Sequence, residues 1–439
     1  MQYACTFVYL CEICSYKTTH YYIIIMRKLI CFFLLSTLGL TASASRTITV
    51  YVKNHIGTPR TDQPVVINLA PYRDVRSALV TTDGKEVPCQ LDDLNQDETF
   101  DELCFLADLD KQERKTYTVT LFDEGEPRSY PARVFAEMVI RNTNDKKLKK
   151  NQHNNFIESI TARGDAAYTY NIQHHHGVDF ESELNGIRIY FDARQTLDLY
   201  GKYQKRLELK DTQFYTDEAQ KAQGYGDDVL WVGKTFGLGA FRGWDGTKPT
   251  LVEPVRSRTQ RIISYGPLRT IVEIVDRGWQ LPSIDGHQPT TVNMTLRYTQ
   301  YAGHRDTDVD VFFNKDVSDC PFSTGIINVK GSHEFSDHHG LRACWGSDFP
   351  TNDTINGKRE TVGLAVLIPQ QNIQSEEPAN KDNYAFVLKI KGTHMSYKVN
   401  YSSANETFGY HSAQEWFDYL KVWRREVDQP IVIKIKQMQ

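Results

Sequence analysis

The chain has 439 residues, and 51 Lys and Arg stand against 55 Asp and Glu, for a formal charge of −4. With near balance and no basic block it lacks the electrostatic footprint of a nucleic-acid binder. No apolar run is long enough to cross a bilayer, and the length suits two domains or one large β architecture.

In chain order, residues 1–25 read as upstream sequence translated from a start placed too early. Cys11-x-x-Cys14 within them supplies only two of the ligands that a zinc site needs. Residues 26–44 read as a secretory signal: Met26-Arg27-Lys28, the apolar run Leu29 to Leu40, then Ala42-Ser43-Ala44 with cleavage expected after Ala44. The expected destination is the periplasm, or secretion beyond it. Four cysteines follow. In an oxidising compartment Cys89 with Cys104 and Cys320 with Cys344 are candidate bridges, and four free buried thiols are the equal alternative.

Past the signal the chain alternates with period two. "TITVYV" (47–52), "PVVINL" (64–69), "KTYTVTLF" (115–122), "TVNMTLRYTQY" (291–301), "TDVDVFF" (307–313) and "YAFVLKIKG" (384–392) predict strands between Gly, Asp, Asn and Pro turns. One helix is predicted near 412–425, where Ser412 to Glu415 spell a capping box and Trp416, Leu420 and Trp423 share a face. No βαβ rhythm occurs, so the fold class is all-β. The polar "NTNDKKLKKNQHNN" (142–155) predicts a boundary between a small sandwich region, 46–140, of immunoglobulin-like size, and a large two-sheet region, 155–439.

The densest chemistry lies in "HHHGVDFESELNGIRIYFDARQTLDLYGK" (174–202). In "GIRIYFD", Ile187, Ile189 and Phe191 point one way and Arg188, Tyr190 and Asp192 the other. "LDLYGK" sets Leu197 and Leu199 inward and Asp198, Tyr200 and Lys202 outward, and Glu181 and Glu183 share a parity on the preceding strand. This face is either a solvated sheet surface or a ligand site on a concave sheet. The histidines add a possible divalent-metal site, with His174 and His176 on one side of a strand, His175 facing away, and His333, His338 and His339 as a second cluster. Tyr301, His304 and Arg305 form a third polar group, suited to an anion or to a salt-bridged turn. "GYGDDVLWVGKTFGLGAFRGWDG" lacks the phosphate-loop spacing and reads as a flexible glycine-rich loop bearing Tyr225, Trp231, Arg242 and Trp244, aromatics suited to sugar rings or to a core. Neither a G-x-S-x-G elbow nor an H-E-x-x-H pair occurs, which disfavours a serine hydrolase or a zincin.

Together "HHHGVDFESE", "RIYFDARQTLDLYGK", "GYGDDVLWVGKTFGLG", "SYGPLRTIVEI" and the opening "YVKNHIGTPRTDQPVVI" resemble the bacterial family called domain of unknown function 4861. The resemblance implies a secreted component of polysaccharide utilisation, a mutarotase-like β-supersandwich, and a dehydratase acting on terminal uronic acids of oligosaccharides. Motif positions carried over are His175, His176, Glu181, Glu183, Arg188, Tyr200 and Lys202. Such a reaction removes the acidic C5 proton and the C4 hydroxyl of a uronate while its carboxylate is neutralised. Arg188 and Lys202 are the candidate carboxylate clamp, His176 or His175 the base, and Tyr200 or Glu183 the acid, with base and acid interchangeable. Glu181, Tyr225, Trp244, His304 and Arg305 are candidate substrate contacts. Two other readings stay open: a glycoside hydrolase using carboxylates such as Glu181, Glu183 or Asp228, and a glycan-binding protein without catalysis.

Overall fold

The structure is a computed structural model that describes residues 45–149, 152–164, 172–282, 290–351, 354–355 and 357–437. The expected signal and upstream segment, with its Cys-x-x-Cys, lie outside these residues. The six strand patterns read from the sequence form strands Ser45–Lys53, Arg60–Asn68, Arg114–Phe122, Thr291–Tyr301, Asp306–Phe313 and Asn383–Lys389. Buried and partly exposed residues largely alternate along the first five, as period-two patterning requires, whereas Asn383–Lys389 is buried through its interior. Among the described residues no helix is long and apolar enough to cross a membrane.

Strands dominate, and they build two cores. The smaller lies between a five-stranded sheet and a three-stranded one, and includes Val50, Val65, Val80, Phe105, Tyr117 and Val119. Its outer strand comes from the chain's far end, since Val432–Gln437 pairs antiparallel with Ser45–Lys53. The larger core lies between a nine-stranded antiparallel sheet and a layer made of a six-stranded and a five-stranded sheet. Strand Val134–Ile140 carries the chain from the first core into that six-stranded sheet.

Among the described residues Cys89, Cys104, Cys320 and Cys344 are free thiols. Cys89 pairs with Phe105 across the ladder, whereas Cys104 pairs with Gln90, so the two side chains leave opposite faces and no bridge can join them. The glycine-rich stretch is not a flexible loop. It runs through the large core, burying Val232, Phe236, Leu238 and Phe241, and bridges the two sheets of its layer through Leu197–Gly237 and Leu238–Ile326. Gly237, at φ +55°, sits where a Cβ would come within 2.3 Å of the Leu197 carbonyl oxygen, so the crossing needs glycine.

The predicted helix spans Ala413–Asp428 and lays Trp416, Leu420 and Trp423 on the nine-stranded sheet against Trp345 and Leu367. Half of its capping box forms: the Ser412 hydroxyl accepts from the Glu415 N–H, but Glu415 reaches back to the His411 N–H. Two shorter helices, Leu209–Thr212 and Glu218–Ala222, lack an apolar repeat of their own and were not anticipated. Because Trp416 is fully buried, Trp416→Ala should lower stability by about 3–5 kcal/mol in urea denaturation. Val422→Ala, on the exposed side of the same helix, should stay within about 0.5 kcal/mol of the parent.

Candidate functional site

The polar face of the 174–202 segment is buried, so it is not a solvated surface. Strands Gln173–Ser182, Gly186–Tyr190 and Leu197–Gly201 pair antiparallel in one sheet, with Val134–Ile140 on one side and Asp227–Asp228 on the other. Val178, Phe180, Ile187, Ile189, Leu197 and Leu199 enter the large core as the alternation predicts. Their neighbours form a second, charged layer. Register places Glu137, Asp179, Arg188 and Asp198 side by side across four strands, and Leu209, Phe214 and Tyr200 pack together over that face. The Arg188 guanidinium lies 4.3 Å from the Phe214 ring.

Two cations organise this layer. Arg188 donates to Asp198 at 2.7 Å, to Asp228 and the Tyr190 hydroxyl at 2.9 Å, and to the Tyr215 hydroxyl at 3.0 Å. Lys202, wholly buried, donates to Glu181 at 2.5 Å, to the Arg206 carbonyl at 2.6 Å and to the Ser182 carbonyl at 2.7 Å. All three ammonium protons are thereby used, which leaves Lys202 none for a substrate carboxylate. Glu181 also accepts the backbone N–H groups of Glu208 and Leu209, so it fixes the start of helix Leu209–Thr212.

Tyr200 is equally committed. Its hydroxyl lies 2.8 Å from the Gly226 carbonyl and 3.1 Å from the Glu208 carboxylate, and burial pushes its pKa upward, away from use as an acid. Glu183 accepts from Arg133 at 2.5 Å and from the Gly303 N–H at 2.8 Å, tying two loops together.

The histidine triplet sits in an irregularity. Between the pairs Gln173–Ile140 and Val178–Met138, four residues of one strand oppose only Val139 of its neighbour. His175 and His176 take φ of +40° and +71°, two consecutive left-handed residues that are not glycine. This bulge turns His175 inward, contrary to the expectation that His174 and His176 would act together. His175 Nε2 comes within 3.3 Å of Asp179 Oδ2. Donor atoms of Glu137, His175 and Asp179 all lie within 4.8 Å of one another. Both ring nitrogens of His175 and all four oxygens of the two carboxyls are buried without a hydrogen-bond partner. Burial, with Glu181 nearby, pushes Glu137 up to about 8, and burial likewise raises Asp179 and holds His175 well below its usual pKa.

His174, its pKa pressed down to about 3 chiefly by burial, packs between His153, 4.5 Å away, and Tyr215, 5.6 Å away. His176 is only half-buried and stacks on Tyr190 at 6.0 Å.

The other expected residues lie elsewhere. Tyr225 donates to Asp211 under Arg206 and lines a separate cleft with His153 and Gln213. Trp244 is buried in strand Arg242–Trp244 of the five-stranded sheet. His304 is held by Asp306 and the Asp62 carbonyl and Arg305 by Glu406, and both line a cleft beside the long helix. His333, His338 and His339 belong to the edge of the nine-stranded sheet, where His338 meets Glu376, and they join no ligand cluster among the described residues. Sequence reasoning missed Glu137 and Asp179. Asp179 shares the parity of Glu181, and Glu137 is the lone charge in the apolar "VFAEMVI", and those were the available signals.

The burial of Lys202 has a measurable consequence. Lys202→Met strands the Glu181 charge and should cost about 3–5 kcal/mol in chemical denaturation. Adding Glu181→Gln to that variant should restore part of the loss. A Lys202→Met protein as stable as the parent would show that this ion pair does not hold the layer.

The family model described as Domain of unknown function (DUF4861) matches residues 52–433. No curated protein matches the chain significantly. Among solved structures, an alpha-mannosidase from Enterococcus faecalis V583 aligns at 10% identity and TM-score 0.48, over 89% of this chain and 46% of that one. A protein in the glycosyl hydrolase family 38 from Enterococcus faecalis aligns at 10% identity and TM-score 0.47, over 89% and 47%. The chain therefore spans about half the length of these two proteins. With the match running through both cores and every strand of the charged layer, the chain belongs to the DUF4861 family.

Proposed function

We propose that this protein is an exported carbohydrate-processing lyase that eliminates water from a non-reducing-end uronic acid of an oligosaccharide. The observation that carries the reading is the bulge at His175–His176. Two adjacent left-handed residues store backbone strain, and strain of that kind persists where the surroundings hold it for a purpose. Within this reading the large layers correspond to a mutarotase-like supersandwich and the small core to an immunoglobulin-like sandwich.

The roles follow from exposure. His176 is the half-buried imidazole of the triplet and takes the C5 proton; the electron pair forms the C4–C5 double bond. Tyr215, half-buried with its hydroxyl 3.0 Å from Arg188, protonates the departing C4 hydroxyl, which leaves as water. Burial raises the Tyr215 phenol above its usual pKa, but unlike Tyr200 it has Arg188 beside it, charged at any working pH, to oppose that shift and favour the phenolate that remains. Hydrolysis through Glu181, Glu183 and Asp228 is less well supported, because each of these carboxylates is already tied to a cation.

Incubation with uronate-capped oligosaccharides, followed by mass and near-ultraviolet absorbance together, should show loss of one water without fragmentation as absorbance rises. His176→Ala and Tyr215→Phe should each lower turnover by roughly 10²–10⁴-fold while the proteins stay folded. Cleavage without absorbance would replace elimination with hydrolysis. Parent-rate turnover by both folded variants would remove these residues from the chemistry.

A further inference from the structure

We infer that Glu137, His175 and Asp179 form a binding site for one divalent first-row transition-metal ion. The inference goes beyond the elimination reading and stands whether or not that reaction occurs. Five carboxyl groups lie on the buried layer, on Glu137, Asp179, Glu181, Asp198 and Asp228, against the two cations Arg188 and Lys202. Lys202 answers Glu181, and Arg188 answers Asp198 and Asp228, so neither Glu137 nor Asp179 has a Lys or Arg in ion-pair contact, and Asp179 has only the His175 imidazole beside it. Isolated charges at this depth are too costly to keep. Protonation can remove the charges, but it leaves four buried carboxyl oxygens with no hydrogen bond formed in the structure.

A cation answers the whole set at once. Donors bound at about 2.1 Å stand about 3.4 Å apart around a tetrahedral ion, and opposed donors of an octahedral ion stand about 4.2 Å apart. The present limit of 4.8 Å closes to that range with a small inward movement of side chains. The bulge explains how the third donor arrives. In a regular strand His175 and Asp179 would share a face but sit about 13 Å apart. Here the looped residues His174–Gly177 bring their side chains to 3.3 Å. One imidazole nitrogen with two carboxylate oxygens suits Zn²⁺ or Mn²⁺ better than Ca²⁺ or Mg²⁺, which take all-oxygen shells. Three protein ligands would also leave coordination positions open.

The test is metal content and metal response of the whole purified protein. Elemental analysis after gel filtration should find one equivalent of ion, removed by chelator and restored by Zn²⁺ or Mn²⁺, with the melting temperature rising on reloading. Glu137→Gln and Asp179→Asn should each weaken binding by roughly a hundredfold or more, since even outer partners of metal ligands account for ten- to a hundredfold. In the metal-free state these two variants should melt no lower than the parent, because each removes an unpaired buried carboxyl. Should a variant fail to fold, Co²⁺ loaded into the parent supplies a second reading: visible bands of a low-coordinate site with a nitrogen ligand support the assignment, and the bands of hydrated Co²⁺ overturn it. The inference also falls if the parent retains no ion and its melting is indifferent to Zn²⁺ and Mn²⁺. Undiminished binding by folded Asp179→Asn would place the ion elsewhere, for instance at exposed His338 and Glu376, and would equally overturn it.

Discussion

A sheet covered on both faces must answer every charge it carries from within, and this constraint shapes the middle of the molecule. Antiparallel sheets ordinarily give one face to the core and one to water. Here the strands from Gln173 to Gly201 give one face to the large core and the other to a cover built by residues 203–226. The cover is held by the charges it hides. Glu181 accepts the N–H groups that open helix Leu209–Thr212, Lys202 grips the Arg206 carbonyl, and Glu208 accepts the Gly226 N–H. Removing one of these groups exposes another as an unpaired buried charge, so the layer stands or falls as a network.

The same economy joins the two cores. Arg269, on the nine-stranded sheet, pairs with Asp92 and Glu102 of the small sandwich, and the Gln90 amide oxygen accepts the Leu268 and Arg269 N–H groups. Arg133 links Asp62 of the small core to Glu183 at the end of the histidine-bearing strand. The small sandwich thus buttresses the end of that strand opposite the bulge. Positioning residues that hold a strained turn need support of this kind, since an unsupported bulge would relax.

Much of the fold was legible because strands announce themselves by period, and the core side of each polar strand followed from parity alone. Ile187, Ile189, Leu197 and Leu199 lie where alternation puts them. The facing charges were legible as a set for the same reason. Their burial was not, because the cover comes from residues 203–226, whose short helices have no apolar repeat to betray that they lie on a sheet. Nor was the bulge legible. Period-two reasoning assumes that every residue advances the strand equally, and four residues opposite Val139 break that assumption. The same blindness hid Glu137, which reads as an interruption in an apolar strand until its register partner Asp179 is known.

Charge count also limits what this layer accepts. Arg188 holds Asp198 at 2.7 Å and Asp228 at 2.9 Å, so an acidic sugar approaching its guanidinium meets a cation already answered by two carboxyls. A bare layer of this composition repels a uronate more than it attracts one. Under the proposed elimination, positive charge would have to be added before the carboxylate of such a sugar could settle beside Tyr215 and His176, and the ion proposed among Glu137, His175 and Asp179 would supply it. A divalent ion there would turn an excess of carboxyls into a near-neutral layer and would favour the negative charge that develops as a C5 proton leaves. A metal-free layer would argue for a neutral ligand, and an ion-bearing one for an acidic ligand.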